Sequence, residues 1–358
     1  MVWNGTSIAQ VRNEGYKVAE DEIYNRLTLM GVEMDRDCIM PSELKSLAEV
    51  NIGIQYQSES YEDVGYDVLI NNRLPLDYKM CSGYNIGFSY WETTRLPEGW
   101  VRRMNMMDEI WTASSWTKNV FLSSGVKVPT YNFDLGVDSR YFFPEKRILK
   151  SQPFTFLSIG SPSTRKNSQL AVDAFVKLFG NDDRYKLLYK SVDSPDARLW
   201  NSRGEPSAIS NHPNIEIIEY DVPIEELALI YDRADCLVYP TSGEGWGMLP
   251  FQAIAKGIPT ICTDATACTE YAHMSVPLDF KWGTKKMSGI YGECGEWAEP
   301  NFDDLCDKML YVVKNYDAVS NKTLEGAKYI NENMTWDKVT KDYVNRLCQI
   351  LNMLNKKA

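Results

Sequence analysis

The sequence predicts an α/β protein built as two doubly wound domains facing a central cleft. Three observations carry this. The chain has 358 residues, more than one hydrophobic core usually serves. Short apolar, β-rich runs alternate with helical patterns along most of it, the arrangement of parallel sheets with helices on both faces. The alternation is interrupted near residues 143–153, where Phe143-Pro144-Glu145-Lys146-Arg147 is polar and Ser151-Gln152-Pro153 breaks regular structure. The expected division is 1–148, then 149–335, then a last helix over 336–358 that packs back toward the first domain.

In the first part the pattern predicts a helix from about Val18 to Met30, and strands over Asp67–Asn71, Tyr84–Tyr90 and Glu109–Ala113. A helix over Thr117–Ser123 has Ser114 or Ser115 as its cap and Gly125 as its stop. The second part opens with a strand at Phe154–Gly160 and a helix at Asn167–Phe179. Strands at Lys186–Lys190 and Ile215–Tyr220, a helix at Ile224–Ala234 and a strand at Cys236–Tyr239 follow. A helix at Leu249–Lys256 and a strand at Pro259–Thr263 precede closing helices at Phe302–Asn315, Thr323–Asn333 and Trp336–Asn355.

Composition excludes several classes. The net charge is −11, with 16 Lys+Arg against 21 Asp+Glu up to residue 150 and 22 against 28 after it. Neither part offers a broad electrostatic grip on nucleic acid or anionic lipid. No stretch of about 18 apolar residues predicts a membrane span, and Met1–Thr6 has no basic-then-apolar leader, so the expected compartment is the cytoplasm. The eight cysteines include no C-x-x-C pair, and several sit in apolar runs such as Ala234–Val238, which reads as buried, reduced thiols. No His/Cys cluster has metal spacing. Asp35-Arg36-Asp37 formally matches a D-x-D metal motif but lies in a polar stretch without a preceding strand. No Walker loop or G-x-S-x-G elbow is present.

The most specific segment runs from Tyr239 to Ile261. A strand ends at Tyr239, a loop carrying Gly243, Gly245, Gly247 and a single carboxylate, Glu244, follows, and a helix begins near Leu249. This is the physics of a diphosphate site. Gly245 and Gly247 let backbone approach a ligand, and the N–H groups at the helix start, near Met248 and Leu249, point at an anion with the positive end of the dipole behind them. Glu244 can hydrogen-bond sugar hydroxyls, and Gln252, about one turn into the helix, can reach a ribose. Upstream, Ile159-Gly160-Ser161-Pro162-Ser163-Thr164-Arg165-Lys166-Asn167 follows a strand and places a guanidinium fork and an ammonium side by side.

The Tyr239–Ile261 segment, with Trp246 in its glycine loop, closely resembles the E-x7-E motif of retaining glycosyltransferases of family 4, which have the GT-B fold of two Rossmann-like domains. The resemblance implies that Glu244 contacts the transferred sugar and that Gln252 stands at the ribose-binding position, where the family has a second Glu. Arg165 and Lys166, following Gly160, match the family's basic residues for the donor diphosphate. Tyr90–Trp100, Asp108–Trp116 and Leu135-Gly136-Val137-Asp138 resemble the N-terminal domain. Many relatives carry a His after the strand that here ends at Tyr90; His212 and His273 are elsewhere, and Glu92 is the candidate for that place. Asn4-Gly5-Thr6 stands where the family has an N-terminal glycine loop. Asp264 and Glu270 follow the strand at the same edge.

The resemblance implies a UDP- or GDP-sugar donor, no cofactor, and retention by front-face attack assisted by a donor phosphate oxygen, with Arg165, Lys166 and the helix start stabilising the leaving diphosphate without metal. The expected acceptor is a saccharide or glycan precursor. Two other readings stay open: transfer to a hydroxymethylated DNA base, with Arg95, Arg102, Arg103, Lys118 and Lys127 as a local basic groove, and a non-catalytic sugar-nucleotide binding protein.

Overall fold

The structure, a computed structural model, describes residues 32–34, 39–41, 52–55, 67–149, 153–191, 212–284 and 294–356. The expected helix at Val18–Met30, Gly5 and the Asp35-Arg36-Asp37 motif lie outside the described residues. The chain forms two compact units. The first holds the described residues up to Gly136, Cys294–Gly295, and everything from Met334 onward; the second holds the rest.

The first unit is a seven-stranded sheet laid down in chain order: β1 (Val32–Met34), β2 (Ile39–Pro41), β3 (Ile52–Gln55), β4 (Val68–Asn72), β5 (Tyr84–Phe88), β6 (Glu109–Thr112) and β7 (Thr130–Asn132). β1, β2 and β3 pair antiparallel, and β3 to β7 are parallel. Helix α1 (Glu98–Met104) precedes β6 and α2 (Ser115–Ser124) follows it. Ser114 caps α2, its side chain accepting from the Thr117 amide at 3.1 Å. Gly125 ends the helix at φ 107°, a left-handed conformation that favours glycine.

The last helix of the chain, α8 (Trp336–Asn355), completes this unit's core. Tyr343, Leu347, Ile350 and Leu351 pack with Val68, Ile70, Ile86, Phe88 and Trp111. Gly136 is small for the same reason: a Cβ there would run into the backbone of Trp336 at the start of α8. A fully buried carboxylate pins the helix to the sheet. Glu109, at the start of β6, takes a guanidinium from Arg346 (2.6 Å to Oε2), the indole N–H of Trp111 (2.6 Å) and the Tyr84 hydroxyl (3.0 Å). Arg346 lies 4.4 Å over the Tyr131 ring.

The second unit is a six-stranded, all-parallel sheet: β8 (Phe154–Ile159), β9 (Tyr185–Lys190), β10 (Ile215–Ile218), β11 (Cys236–Tyr239), β12 (Thr260–Thr263) and β13 (Val276–Leu278), in the order β10-β9-β8-β11-β12-β13. The winding direction therefore reverses between β8 and β11. Helices α3 (Ser168–Phe179), α4 (Ile224–Asp232), α5 (Met248–Ala255), α6 (Phe302–Lys314) and α7 (Tyr316–Asn333) accompany it. Alternate strand residues, Phe156, Leu187, Tyr189, Val238 and Ile261, form one core face with Phe175, Phe179, Leu305 and Met309 of α3 and α6. The residues between them, Leu157, Leu188, Leu237 and Cys262, are also buried, as a sheet covered on both faces requires. Strands β14 (Phe280–Gly283) and β15 (Trp297–Pro300) make a separate antiparallel ribbon.

The expected elements among the described residues begin and end within two residues of the observed ones, α7 excepted. α7 starts at Tyr316, not Thr323. Tyr316, Val319, Ser320 and Thr323 are buried at helical spacing, so packing imposes helix on a stretch whose Val, Ser, Asn and Thr have weak helical propensity. α1, β7, β13 and the ribbon escape the sequence pattern: each is short, and Pro97-Glu98-Gly99 reads as a turn although Trp100 and Met104 bury one helical face. The described cysteines are free thiols, five of them buried. No described helix is long and apolar enough to cross a membrane.

Removing the guanidinium strands a fully buried carboxylate. Arg346→Ala is expected to lower the unfolding free energy by about 3 kcal/mol or more in urea titration, while a substitution at exposed Arg102, in a surface pair with Glu98, changes it by less than about 0.5 kcal/mol.

Candidate active site

Three loops converge at the carboxyl ends of β8, β11 and β12 in the second unit. A reversal of winding opens a crevice at that edge, and ligands of doubly wound sheets bind there. The loop after β8 is tied to the loop after β11 by main chain: Ser242 N donates to Arg165 O at 2.7 Å. Asn167, held at φ 52°, donates its amide to Pro240 O (2.9 Å) and Ser242 Oγ (2.7 Å). The loop after β12 is tied in turn. Glu244 N donates to Thr266 Oγ1 (2.9 Å) and Ala267 N to Glu244 O (3.2 Å). Thr266 has φ 56°, a conformation that costs a β-branched residue about 1–3 kcal/mol; its hydroxyl is thereby placed under the Glu244 amide.

The carboxylate of Glu244 is the hub. Its Oε1 accepts from Lys166 Nζ (2.6 Å), Thr241 Oγ1 (2.9 Å) and Tyr239 Oη (3.0 Å), and Oε2 lies 3.1 Å from an Arg165 guanidinium nitrogen. Lys166 also donates to Tyr239 Oη at 2.6 Å, and Arg165 donates to Gly243 O at 2.7 Å. Glu244 is 5% exposed and Lys166 7%. Burial by itself raises the Glu244 pKa, but the charges of Lys166 and Arg165, with the hydrogen bonds from Lys166 and Thr241, outweigh it and hold the carboxyl at about 2. Burial, and then the repulsion of Arg165, lower the Lys166 pKa, while Glu244 acts to raise it. We take the cluster as ionised, because one carboxylate faces two cations. Among these three side chains two cations face one carboxylate.

Beside it, α5 begins without a side-chain cap and without an acidic residue in its first turn. Its first N–H groups have no partner within the helix. Gly247 is the cap residue, at φ 85° and ψ 65°, and a Cβ there would strike Tyr271 Oη. That hydroxyl sits 2.7 Å from Trp246 O and 2.8 Å from Gly247 O, so it fixes the turn into the helix. The cationic side chains, the uncapped helix start and the winding reversal lie at one edge of the sheet. Among the described residues, no group of three or more His, Cys, Asp or Glu side chains is arranged to hold a metal ion.

The sequence profile of a family described as family 4 glycosyltransferases in conflict systems matches residues 114–342, more than half of the chain. This chain belongs to that family. The protein named "Putative glycosyltransferase 45" of Sulfolobus islandicus filamentous virus (isolate Iceland/Hveragerdi) is 21% identical over 314 residues, spanning 83% of this chain and 85% of that protein. "Uncharacterized protein 356" of Sulfolobus islandicus rod-shaped virus 1 is 21% identical over 321 residues, 79% and 83% of the two chains. Among solved structures, sucrose-phosphate synthase of Thermosynechococcus elongatus matches with a TM-score of 0.60 at 13% identity, over 80% of this chain and 74% of that one. HepE of Anabaena, in complex with UDP and glucose, matches with a TM-score of 0.57 at 10% identity, over 79% and 78%. These likenesses show the GT-B fold.

In this family 4 glycosyltransferase the structure brings together Arg165, Lys166, Glu244 and the start of α5. Gly160, at φ 139°, lies against the Lys166 side chain. Of the two loop glycines singled out in the sequence, Gly247 takes the left-handed conformation and Gly245 does not. The helix starts at Met248, one residue before Leu249. Trp246 is buried, edge-on to Phe251 at 5.2 Å. Gln252 is 7% exposed, and its Oε1 has no hydrogen-bond partner among the described residues. Asp264 is half-buried after β12, its pKa raised chiefly by burial. Glu92 is half-buried in the first unit, in the loop after β5.

Sequence reasoning missed Tyr239, Thr241, Asn167, Thr266 and Tyr271. Thr241 and Asn167 carried a local signal, polar side chains within three residues of Glu244 and Lys166. Thr266 and Tyr271 carried none, since their roles depend on a loop more than twenty residues downstream of Glu244.

The depressed pKa of Glu244 stabilises the fold above the unfolded-state value near 4.5, by about 3 kcal/mol, and that contribution is lost as pH falls toward 2. The stability deficit of Glu244→Gln is therefore expected in full at pH 6 and to narrow between pH 4.5 and 3 in thermal melts; a constant deficit contradicts the ion cluster. Gly247→Ala is expected to lower the unfolding free energy by about 1 kcal/mol or more in urea titration, because the φ of 85° strains any other residue and a Cβ meets Tyr271 Oη.

Proposed function

We propose that the second unit binds the diphosphate of a nucleotide-sugar donor between Arg165 and the start of α5, and that the enzyme passes the sugar, with retention, to a hydroxyl of a saccharide or glycan precursor. The two cations of the Glu244–Lys166–Arg165 cluster beside an open helix N-terminus support this reading. Glycosyl transfer develops oxocarbenium character on the sugar and negative charge on the leaving diphosphate. Donors already aimed at that charge need not reorganise during the reaction. Arg165 offers a planar fork to phosphate oxygens, and the amides of Met248 and Leu249 add helix-terminus donors. Lys166, deep and locked between Glu244 and Tyr239, acts mainly through its charge and by aiming Glu244. Glu244 is the group proposed to meet the sugar hydroxyls.

Gln252 Oε1 needs a donor, and a ribose hydroxyl supplies one. The UDP of the HepE complex makes UDP-sugars the first donors to try. Glu92, on the first unit, is the proposed acceptor-side carboxylate. Retention, with attack on the donor's front face assisted by a phosphate oxygen, rests on the family resemblance.

Arg165→Ala is expected to weaken UDP-sugar or GDP-sugar binding at least tenfold in calorimetry and to lower turnover about 10²–10³-fold. Unchanged donor affinity sinks the diphosphate assignment, and an inverted anomeric proton in the product NMR spectrum sinks retention.

A further inference from the structure

We infer that Thr93 and Gly295 are positioning residues for Glu92: they lock the loop after β5 so that this carboxylate is held in one place for the acceptor. The inference rests on the reading of Glu92 above.

Glu92 is flanked by anchors. Trp91 and Thr93 are fully buried, and Leu96 is 4% exposed. Glu92 itself is half-buried, and its carboxylate has no hydrogen bond or ion pair among the described residues. The buried carboxylates Glu109 and Glu244 each face a cation. Glu92 is left open while the residues on both sides of it are fixed.

The anchors converge on one hydroxyl. The Trp91 ring packs edge-on against Trp100 of α1, with centroids 4.6 Å apart. Its indole N–H is shared between Thr93 Oγ1 (2.7 Å) and Arg95 O (3.0 Å). Having accepted from the indole, the Thr93 hydroxyl turns its own proton to two carbonyls, Arg95 O at 3.0 Å and Cys294 O. Leu96 N donates to Ser124 Oγ at 2.9 Å, which fastens the end of the loop to α2. Thr93 therefore ties Trp91, Arg95 and Cys294 together around residue 92.

Cys294 lies 201 residues downstream of Thr93 and, with Gly295, belongs to the same unit as the loop. Gly295 takes φ 76°, a conformation that favours glycine. A Cβ there would lie 2.6 Å from Thr94 Oγ1 and 2.7 Å from Arg95 N. Only a bare backbone can lie this close, so the 294–295 segment presses directly on the loop that Thr93 ties to it.

Ordinary packing leaves no such remainder. An indole, a hydroxyl and a distant glycine fix one short turn, and the residue at its centre is a carboxylate with nothing to bind. A group that meets a ligand gains from this support. Side chains of a working site are aimed by the layer behind them, and a misplacement of about 1 Å costs on the order of 10²-fold in rate.

The test compares wild type with Thr93→Val, which keeps the shape and removes the hydroxyl, Thr93→Ser, Gly295→Ala and Glu92→Gln. Hydrogen exchange of the peptide over residues 89–97 reports the loop. Release of UDP from UDP-glucose, with a mixture of p-nitrophenyl glycosides as acceptors, reports turnover, and calorimetry with UDP-glucose reports donor binding. Thr93→Val and Gly295→Ala are expected to exchange at least tenfold faster over 89–97 and to turn over at least tenfold more slowly, with donor affinity within threefold of wild type. Thr93→Ser is expected to stay within threefold of wild type in all three measurements. The inference is overturned if loop exchange is unchanged in Thr93→Val and Gly295→Ala, if both keep wild-type turnover while Glu92→Gln loses it, or if Thr93→Ser is as impaired as Thr93→Val. Wild-type turnover in Glu92→Gln removes the reading of Glu92, and this inference with it. A wild type that binds no UDP- or GDP-sugar removes the donor-site reading instead, and the exchange rates alone then decide whether Thr93 and Gly295 hold the loop.

Discussion

A carboxylate buried beyond the end of β11 can persist only if cations are brought to it, and this demand organises the working edge of the second unit. An unpaired charge at 5% exposure is costly by several kcal/mol even after relaxation. The cations that answer it come from the loop after β8. They can do so because β8 and β11 lie side by side at the point where winding reverses. The backbone bonds between Arg165, Ser242 and Asn167 then hold the two loops in register, and Thr266 brings in the third. Lys166 and Arg165 therefore serve two purposes: they keep Glu244 ionised and aimed, and they set two cations beside α5.

The molecule contains a second buried carboxylate, and the contrast between them is informative. Glu109 has an Arg partner and two neutral donors, as Glu244 has two cations and two neutral donors. Glu109, however, sits at the start of β6, in a core sealed by α8, with ordinary backbone on either side. Glu244 sits past the carboxyl end of its strand, between Thr266 and Gly247, both at positive φ, and near Gln252 with its unpartnered Oε1. Strained backbone and unmatched polar atoms are what a protein keeps where a ligand completes the arrangement. The same ion-pair chemistry thus anchors a helix in one unit and ties together the loops at the sheet edge in the other, and position along the strands separates the two.

Much of this was readable before any coordinates. The alternation of apolar strands with helical stretches places β8 to β12 and their helices in the second unit, α7's start excepted, because each strand of a parallel sheet is buried on both faces and each helix on one, and burial leaves its period in the chain. The Gly-rich turn around Glu244, the basic pair at Arg165-Lys166 and the helix start at Met248 are local features, encoded within a few residues, and the chain displays them directly. What only the tertiary structure decided is how they meet. That Lys166 turns inward onto Glu244 and Tyr239 depends on β8 lying beside β11, a pairing across more than seventy residues that no local pattern specifies. That Thr266 takes a strained backbone to hold the Glu244 amide, and that Tyr271 fixes the turn at Gly247, both depend on contacts between distant segments. Sequence by itself determined the elements and the chemistry available at their ends, since those rest on short-range propensity and periodicity; the partner of each charge was decided by strand order, which long-range packing alone sets.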